Sequence, residues 1–411
     1  MLNNCLASAW SRRGSALLLS FALIGCGRSG PPVAAPSLAA ASVSVRAPDA
    51  ALPLAAAAPV VWRVGTTGDY APFSSRDASG KLQGFDIELA GALASDSNAG
   101  VRWVNVRWPS LQAALEGGDV DLVMSGVTWQ PARSVVGYMT RALARGGPCV
   151  LGDAQGTPVA VNRGGVLETW ARARFPENAL VTVEDNQSLP VLLASGRVRA
   201  IVTDSFELHA FARPEWPSVC EPRLARKVYW IAPGHEALAR DIDGWLATHA
   251  ERVQAAQARW FGERQSLRAL DHLTDLLARR LAFMPLVAEV KAKAGLAIED
   301  LPREKLVLEA SEQQAQKLGL PAASARAFFA LQIELAKAVQ RRRREPTELE
   351  LAQQIRPALN ALGDRILEAL GAAARRGELV TATLADLEAL SPWLDANELR
   401  QLLDALHAFG T

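Results

Sequence analysis

The hydrophobic pattern of the sequence changes once, near residue 262, and this change limits the fold more than any other feature. Before it, short apolar runs such as VVWRV at 60–64 alternate with helical patterns such as FDIELAGALA at 85–94. After it, leucines recur every three or four residues and strand-like runs mostly disappear. Strands alternating with helices predict an α/β body, whereas the leucine spacing predicts amphipathic helices. We therefore expect an α/β body over 60–264 and a helical bundle over 265–411.

Polar residues of the α/β body collect at or just after its predicted strands. We expect strands at 60–64, 101–106, 122–124, 159–161 and 200–202, and helices at 85–94 and from 110. Strands alternating with helices indicate a mainly parallel sheet, whose ligands bind at the carboxyl ends of the strands. Asp69, Thr128 and Asp204 lie in such loops and mark the expected binding region.

The helical part predicts four main helices. Leu270, Leu273 and Leu277 share one face of a long first helix, which Pro285 should kink and Gly295 should end. The other helices are expected at 300–318, 325–344 and 348–370, with shorter ones within 384–409. This pattern is typical of a helical bundle.

The N-terminus is typical of an export signal. Two arginines precede a short apolar run that ends in Leu23-Ile24-Gly25-Cys26, which resembles a bacterial lipobox. The pattern predicts a signal peptide over 1–25, lipidation of Cys26 and a periplasmic protein tethered to the outer membrane. Plain secretion with an incidental cysteine is the alternative. Residues 26–59, rich in Ala, Pro and Ser, predict a spacer.

Export bears on the state of the cysteines, and charge and motifs bear on the partners. Cys149 and Cys220 would form a disulfide in an oxidising compartment, which we favour over two buried thiols. The 44 Lys and Arg against 43 Asp and Glu give a net charge of +1, which argues against a nucleic-acid binder that relies on overall positive charge. The sequence has no CxxC or HExxH motif, so we expect no metal site.

The α/β body carries a series of ordered motifs. They are TTGDYAPF at 66–73, GFDIELAGALA at 84–94, WPSL at 108–111, GDVDLVMSGVTWQPAR at 118–133, NRGGVLETWA at 162–171 and TDSFEL at 203–208. Together they resemble the family 3 periplasmic solute-binding proteins and, among them, the cyclohexadienyl dehydratases. The resemblance implies a two-lobe fold and dehydration of prephenate or arogenate. It implies that Arg133 holds the substrate carboxylate and Glu207 is the general acid, with further substrate contacts from Asp69, Trp108, Thr128 and Asp204.

Two positions depart from this family pattern. Leu167 stands where the motif GGTNE has an asparagine expected to touch the substrate, and the loop 141–148 lacks an expected catalytic lysine. Arg145 could replace that lysine, although an arginine is not equivalent to a lysine in a tight site. Two interpretations follow: a dehydratase with an altered pocket, which we favour, and a non-catalytic amino-acid-type solute-binding lipoprotein fused to the helical part.

A second set of motifs covers the helical part. The spacing R-x10-K-x8-D-x2-RE within 276–304 is followed by GLPAASARAFFALQIELAKAVQ at 319–340 and IRPAL at 355–359. These motifs resemble the secreted, gamma-type chorismate mutases, which are all-α, need no cofactor and are typically dimeric. The resemblance implies that Asp300 and Glu304 orient cations and the substrate hydroxyl.

The same resemblance implies roles for five more residues. Arg280, Arg303 and Arg356 would hold the carboxylates of chorismate, and Lys291 and Gln340 would donate hydrogen bonds to the ether oxygen whose bond breaks. The rearrangement is pericyclic, so it needs a restrained conformer and stabilised charge rather than a nucleophile.

Chemistry links the two resemblances, because a chorismate mutase makes the prephenate that a cyclohexadienyl dehydratase consumes. Our hypothesis is a bifunctional enzyme whose partners are the small molecules chorismate, prephenate and arogenate. We expect no cofactor, no nucleic acid, contact with a membrane only through the lipid anchor, and a homodimer formed by the helical part.

Overall fold

An α/β body of two lobes is followed along the chain by a bundle of helices, which confirms the predicted fold class. The computed structural model describes residues 60–153, 155–222 and 224–410. The predicted signal peptide, Cys26 and the spacer lie outside the described residues.

Each lobe is built on its own sheet. The lobe 1 sheet has the strand order β4-β1-β5-β13-β6 with β7 also paired to β13, and the lobe 2 sheet has the order β10-β9-β11-β8-β12. In chain order the strands are β1 Val61–Thr66, β2 Ser75–Arg76, β3 Leu82–Gln83, β4 Gly100–Asn105, β5 Leu122–Thr128, β6 Tyr138–Met139, β7 Ala144–Gly146, β8 Pro148–Gly152, β9 Val159–Asn162, β10 Leu180–Val183, β11 Ala200–Asp204, β12 Ser218–Cys220 and β13 Ala225–Ile231. In the described residues no strand follows β13.

The sheets are mixed rather than mainly parallel, because the chain passes between the lobes twice. Strand β1 pairs in parallel with β4 and β5, but β13 returns from lobe 2 and pairs antiparallel with β5. In lobe 2, β9 is parallel to β10 and β11, whereas β8 is antiparallel to β11. Strand β5 of lobe 1 and strands β9 and β11 of lobe 2 nevertheless all end at the cleft between the lobes.

Helices cover both sheets. In chain order they are α1 Phe85–Asp96, α2 Leu111–Glu116, α3 Pro131–Ser134, α4 Val166–Arg174, α5 Ser188–Ala194, α6 Leu208–Phe211, α7 Glu236–Thr248 and α8 Ala250–Phe261. The bundle adds α9 Ala269–Ala282, α10 Met284–Lys293, α11 Leu301–Lys317, α12 Ala322–Arg342, α13 Arg356–Arg375 and α14 Ala396–Gly410. None of the helices within the described residues has both the length and the apolar character needed to cross a bilayer.

The predicted long first helix of the bundle is in fact two helices. Helix α9 ends at Ala282 and α10 begins at Met284, with the break at Phe283. Pro285 explains the break, since it has no N–H to donate and its ring clashes with the carbonyl four residues earlier. Gly295 follows α10 with a φ of 66°, as expected for a residue that ends a helix.

The bundle and lobe 1 share one apolar core. Trp129 and Trp230 of lobe 1 belong to the same cluster of buried side chains as Leu273, Leu277 and Phe283 of the bundle. The rings of Trp129 and Phe283 meet edge to face with centroids 6.1 Å apart. The two parts of the chain are therefore packed together, and their relative position is fixed by apolar burial.

A disulfide joins two neighbouring strands of lobe 2. Cys149 of β8 and Cys220 of β12 stand opposite each other in register, with Cα atoms 4.1 Å apart. The bond closes a loop across a sequence separation of 71 residues. A loop of this length restricts the unfolded chain strongly.

Replacing both cysteines by serine should lower the free energy of unfolding by about 4 kcal/mol, because the unfolded chain regains the entropy of the open loop. Urea unfolding followed by circular dichroism measures this difference. Adding a reducing agent to the wild-type protein should give the same loss. Equal stability of the oxidised and reduced proteins would contradict the expectation.

Candidate active sites

The bundle encloses a cavity of about 460 Å³ among α9, α10, α11, α12 and α13. All seven residues predicted from the second set of motifs line it: Arg280, Lys291, Asp300, Arg303, Glu304, Gln340 and Arg356. Apolar walls come from residues such as Val287, Phe329 and Ile333. The helices thus bring residues that are up to 76 positions apart in the sequence (280 to 356) into one pocket that combines cations with an apolar surface.

Arg280 is a buried cation without a counterion in the described part of the chain. It is 7% exposed, and its Nε atom has no hydrogen-bond partner. Burial, together with repulsion from Arg303, lowers the pKa of Arg280 to about 10, so it stays charged near neutral pH. A buried charge is costly unless it is paired. An anion in the cavity would supply the missing partner.

Asp300 organises the cations at the other end of the cavity. Its carboxylate accepts a hydrogen bond from the backbone N–H of Arg303 at 3.2 Å, which caps α11. Its second oxygen lies 3.2 Å from Nη2 of Arg356. Arg303 in turn donates from Nη2 to Oδ1 of Asn360 at 2.5 Å. One carboxylate therefore fixes a helix end and the orientation of a cavity arginine.

Lys291 and Gln340 present hydrogen-bond donors to the cavity. Lys291 donates from Nζ to the carbonyl of Ile298 at 2.5 Å, and burial lowers its pKa. Gln340 is 6% exposed and donates from Nε2 to the carbonyl of Ala336 at 3.3 Å, with Sδ of Met284 at 3.6 Å. Because a thioether is a weak acceptor, the second hydrogen of this amide is available to a ligand.

Lys337 is a cavity residue that the sequence analysis missed. It is 5% exposed and lies 3.3 Å from Glu304 and 2.7 Å from Glu334. Its ion pair holds Glu304 at the cavity wall. Its position three residues before Gln340 on the same helix is the signal that could have found it, since residues spaced by three share a helix face.

A second, smaller cavity of about 40 Å³ lies between the two lobes. Four predicted residues line it together with Leu167: Trp108, Thr128, Arg133 and Glu207. The other two, Asp69 and Asp204, do not line it. Asp69 stands between the lobes, where its carbonyl accepts a hydrogen bond from Nε2 of Gln187 at 2.7 Å.

Glu207 is the acid of this cleft, and it is fully buried. Thr203 donates to its Oε2 at 2.6 Å, and the side-chain amide of Asn186 donates to its Oε1. Burial, with a further contribution from the charge of Asp204, raises the pKa of Glu207 to about 8. The carboxyl group is therefore largely protonated near neutral pH and can act as a proton donor.

Arg133 provides a cation on the lobe 1 side of the cleft. Its guanidinium lies over the ring of Trp108, 5.4 Å from the ring centroid, and donates to the carbonyl of Thr128 at 3.0 Å. Burial lowers its pKa to about 10, which leaves it charged near neutral pH. Among the described residues it forms no ion pair with a carboxylate, so it is free to bind a substrate carboxylate.

Lys227 places a lysine in the cleft, on the strand that pairs with the loop 141–148. Strand β13 pairs with β7 so that Lys227 stands opposite Ala144 of that loop. Its Nζ lies 2.8 Å from Oδ2 of Asp204, 2.8 Å from the hydroxyl of Tyr70 and 3.1 Å from Oγ1 of Thr128. A lysine within the apolar run ARKVYWI was the signal that the sequence offered. The pairing of this strand with one about 80 residues earlier could not be predicted from the sequence.

The hypothesis that Arg145 replaces the missing lysine is wrong. Its side chain points away from the cleft and donates from Nη2 to the backbone carbonyl of Asp271 in the bundle, at 3.2 Å. In strand β7 successive side chains alternate in direction, so position 145 faces the bundle. Within the described residues no group of His, Cys, Asp and Glu side chains could hold a metal ion.

Comparisons with known proteins assign a family to each part of the chain. Residues 62–263 match the bacterial extracellular solute-binding proteins, family 3, and residues 264–341 match chorismate mutase type II. Cyclohexadienyl dehydratase of Pseudomonas aeruginosa is 31% identical over 206 residues, which are 45% of this chain and 76% of that protein. The chain therefore belongs to the family 3 solute-binding proteins and carries a chorismate mutase type II domain after that part.

Two further proteins match part of the chain. A probable histidine-binding protein of Neisseria gonorrhoeae is 41% identical over 96 residues, which are 23% of this chain and 35% of that protein. The crystal structure of the ancestral amino acid-binding protein AncCDT-1, a precursor of cyclohexadienyl dehydratase, is 29% identical and covers 49% of this chain and 95% of that chain, with a TM-score of 0.46.

Replacing Arg280 by Met should stabilise the protein by about 1 kcal/mol or more while lowering its affinity for a dianion. The change removes an unpaired buried charge and keeps an apolar side chain of similar length. Thermal unfolding measures the first effect, and calorimetric titration with chorismate measures the second.

Arg279→Met is the matched control, one residue earlier on the same helix. Arg279 is also fully buried, but it is paired with Asp275, its Nη2 lying 2.7 Å from Oδ2. Breaking this pair should destabilise the protein by about 3–5 kcal/mol. Equal destabilisation by the two changes would show that Arg280 has a partner inside the protein.

Proposed function

We propose that the chain is a bifunctional exported enzyme that converts chorismate to prephenate in the bundle and prephenate or arogenate to phenylpyruvate or phenylalanine in the cleft. The observation that carries this proposal is the cavity shared by Arg280, Lys291, Arg303 and Arg356. Four cations around an apolar space of about 460 Å³ suit a small cyclic dianion. The cleft, with a buried acid and a free arginine, suits the product of that first reaction.

In the bundle, catalysis rests on restraint and charge. The arginines would hold the two carboxylates so that the side chain of chorismate lies over its ring in the reactive conformer. The ether C–O bond then breaks while the new C–C bond forms, and negative charge grows on the ether oxygen. Lys291 and the free hydrogen of the Gln340 amide would stabilise this charge. No proton is transferred, so no acid or base has to titrate.

In the cleft, catalysis rests on an acid kept neutral by burial. Arg133 would bind a substrate carboxylate through its planar fork of donors. The ring carboxylate leaves as CO₂, its bonding electrons form the new double bond of the aromatic ring, and the C–O bond to the ring hydroxyl breaks. Glu207 gives its proton to that hydroxyl, which leaves as water. The Glu207 carboxylate then regains a proton from solvent.

Substrate entry to the cleft requires the lobes to separate. The cavity of about 40 Å³ is smaller than the ~300–1,000 Å³ that small-molecule sites usually provide. The lobes are linked by two crossings of the chain, between β7 and β8 and between β12 and β13, which can act as hinges. Closure would then exclude water from Glu207.

Export, the lipid anchor and the homodimer are also part of the proposal. The lipobox-like segment supports export, and so does the Cys149–Cys220 disulfide, since such bonds persist in oxidising compartments. Metabolic labelling with a radioactive fatty acid tests Cys26, with Cys26→Ser as the control. Sedimentation equilibrium of the protein without residues 1–59 tests the dimer.

Gln340→Glu should make the mutase reaction dependent on pH. A carboxyl group donates a hydrogen bond to the ether oxygen only when it is protonated, whereas the amide donates at any pH. We expect chorismate turnover by the variant to fall as pH rises through the pKa of the new Glu. The wild-type rate should stay level over the same range. A level profile for the variant would contradict a donor role for Gln340.

Glu207→Gln should abolish phenylpyruvate formation and leave chorismate turnover within two-fold of wild type. Chorismate is added to the purified protein, and prephenate and phenylpyruvate are followed separately. If the α/β body is a dehydratase, the variant should accumulate prephenate. If the wild-type protein also accumulates prephenate, the α/β body is a non-catalytic solute-binding domain and the dehydratase half of the proposal fails.

The pH profile of the cleft reaction follows from the same residue. Because the raised pKa keeps Glu207 protonated below about 8, kcat/KM for prephenate should be level at neutral pH and decline as pH rises above 8. Chorismate turnover, measured in parallel, serves as the control.

A further inference from the structure

A buried carboxylate at the contact between the bundle and lobe 1 pairs with an arginine from each part. Asp275 of α9 is fully buried at the contact between the bundle and lobe 1. One of its oxygens contacts Nε of Arg226, and the other lies 2.7 Å from Nη2 of Arg279. Burial alone would raise the pKa of Asp275, but the charges of Arg279 and Arg226 lower it to about 2. The group therefore stays ionised and binds two arginines at once.

Each of these arginines is the direct neighbour of a cation in a cavity. Arg226 precedes Lys227 on β13, and adjacent side chains of a strand point to opposite faces. Arg226 thus faces the bundle while Lys227 faces the cleft. Arg279 precedes Arg280 on α9, where successive side chains are separated by ~100° around the helix axis. Arg279 thus faces lobe 1 while Arg280 faces the bundle cavity.

Helix α9 contacts lobe 1 through Arg279. Arg279 donates from Nη1 to the carbonyl of Thr140 at 2.9 Å, and its guanidinium lies 5.5 Å from the ring centroid of Trp129. The backbone N–H of Trp129 donates to the carbonyl of Arg226 at 2.9 Å. Trp129 follows Thr128, which accepts a hydrogen bond from Lys227. The ion pairs and the backbone hydrogen bond therefore hold strands β5 and β13 against helix α9.

We propose that Asp275 is a positioning residue for both sites, acting through Arg226 on Lys227 in the cleft and through Arg279 on Arg280 in the bundle. The proposal rests on the proposed function in so far as the cleft is catalytic. It assigns to one ion-pair cluster the alignment of two cations that belong to different reactions. A displacement of either cation by a fraction of an ångström lowers the rate, because catalysis depends on preorganised charge.

A second acid at the same contact supplies the control. Asp243 of α7 pairs with Arg365 of the bundle at 2.9 Å and accepts a hydrogen bond from the hydroxyl of Tyr138 at 2.6 Å. Like Asp275, it joins the α/β body to the bundle through an arginine. Arg365 follows Asp364, which lines the bundle cavity, but neither Arg365 nor Tyr138 is next in sequence to a cation of either cavity. Asp243→Asn should therefore affect stability alone.

The test compares Asp275→Asn with Asp243→Asn in the full chain. We expect both variants to lower the melting temperature. Asp275→Asn should also lower kcat for chorismate and for prephenate at least ten-fold, with a smaller change in KM, while Asp243→Asn leaves both kcat values within two-fold. If the two variants have the same kcat values as wild type, Asp275 is structural and the proposal is overturned.

Arg226→Lys and Arg279→Lys keep the proposal testable if Asp275→Asn does not fold. Each keeps a cation for Asp275 but removes the planar fork of the guanidinium. Arg226→Lys should lower prephenate turnover and spare chorismate turnover, and Arg279→Lys should do the reverse. Loss of both activities in both variants, or of neither, would overturn the proposal.

Failure of the proposed function is distinguishable from failure of this inference. If the wild-type protein does not turn over prephenate, the dehydratase proposal fails. The effect of Arg279→Lys on chorismate turnover still tests whether Asp275 acts through Arg279 on Arg280 in the bundle. The action of Asp275 through Arg226 on Lys227 in the cleft is tested by the dissociation constant of prephenate, measured calorimetrically for Arg226→Lys and for wild type. A change below two-fold overturns that part of the inference.

Discussion

The constraint on which the bundle depends is a buried cation that has no counterion among the residues the structure describes. Arg280 is held inside an apolar helical bundle, where an unpaired charge opposes folding. The surrounding core, a cluster of buried side chains that runs from the bundle into lobe 1, has to offset that cost. The charge is kept because a dianion binds more strongly to cations that are already desolvated and fixed than to cations that must first lose water.

The two cavities use burial in opposite ways. In the bundle, burial lowers the pKa of Arg280 and Lys291, yet an arginine with a pKa of about 10 remains charged at neutral pH. In the cleft, burial raises the pKa of Glu207 to about 8 and keeps the acid neutral. One physical effect therefore provides fixed positive charge for a reaction without proton transfer and an available proton for a reaction that needs one.

The sequence predicted the bundle cavity better than the cleft. The ordered motifs, through their resemblance to the chorismate mutases, predicted seven lining residues, which the structure brings together from helices α9 to α13. Lys227 was missed because its partner strand β7 is distant in the sequence, and strand pairing is not encoded locally. The mixed sheets were missed because chain crossings between the lobes depend on the whole fold. At Pro285 the sequence predicted a kink, and the structure has a full break between two helices. Asp275 was not singled out in the sequence, because Arg226, one of the two arginines paired with it, comes from a distant strand.

The overall charge of the chain explains why recognition has to be local. With a net charge of +1, the whole protein exerts little long-range attraction on a dianion, and salt screens what remains beyond ~8–10 Å. Affinity then has to come from the few cations inside the cavities, where screening is weak. Such cations are effective only if their positions are fixed, since a flexible charge would be solvated and gain little from a ligand. A shared apolar core and a buried carboxylate at the contact between the bundle and lobe 1 are the features of this fold that can hold cations of both sites in place.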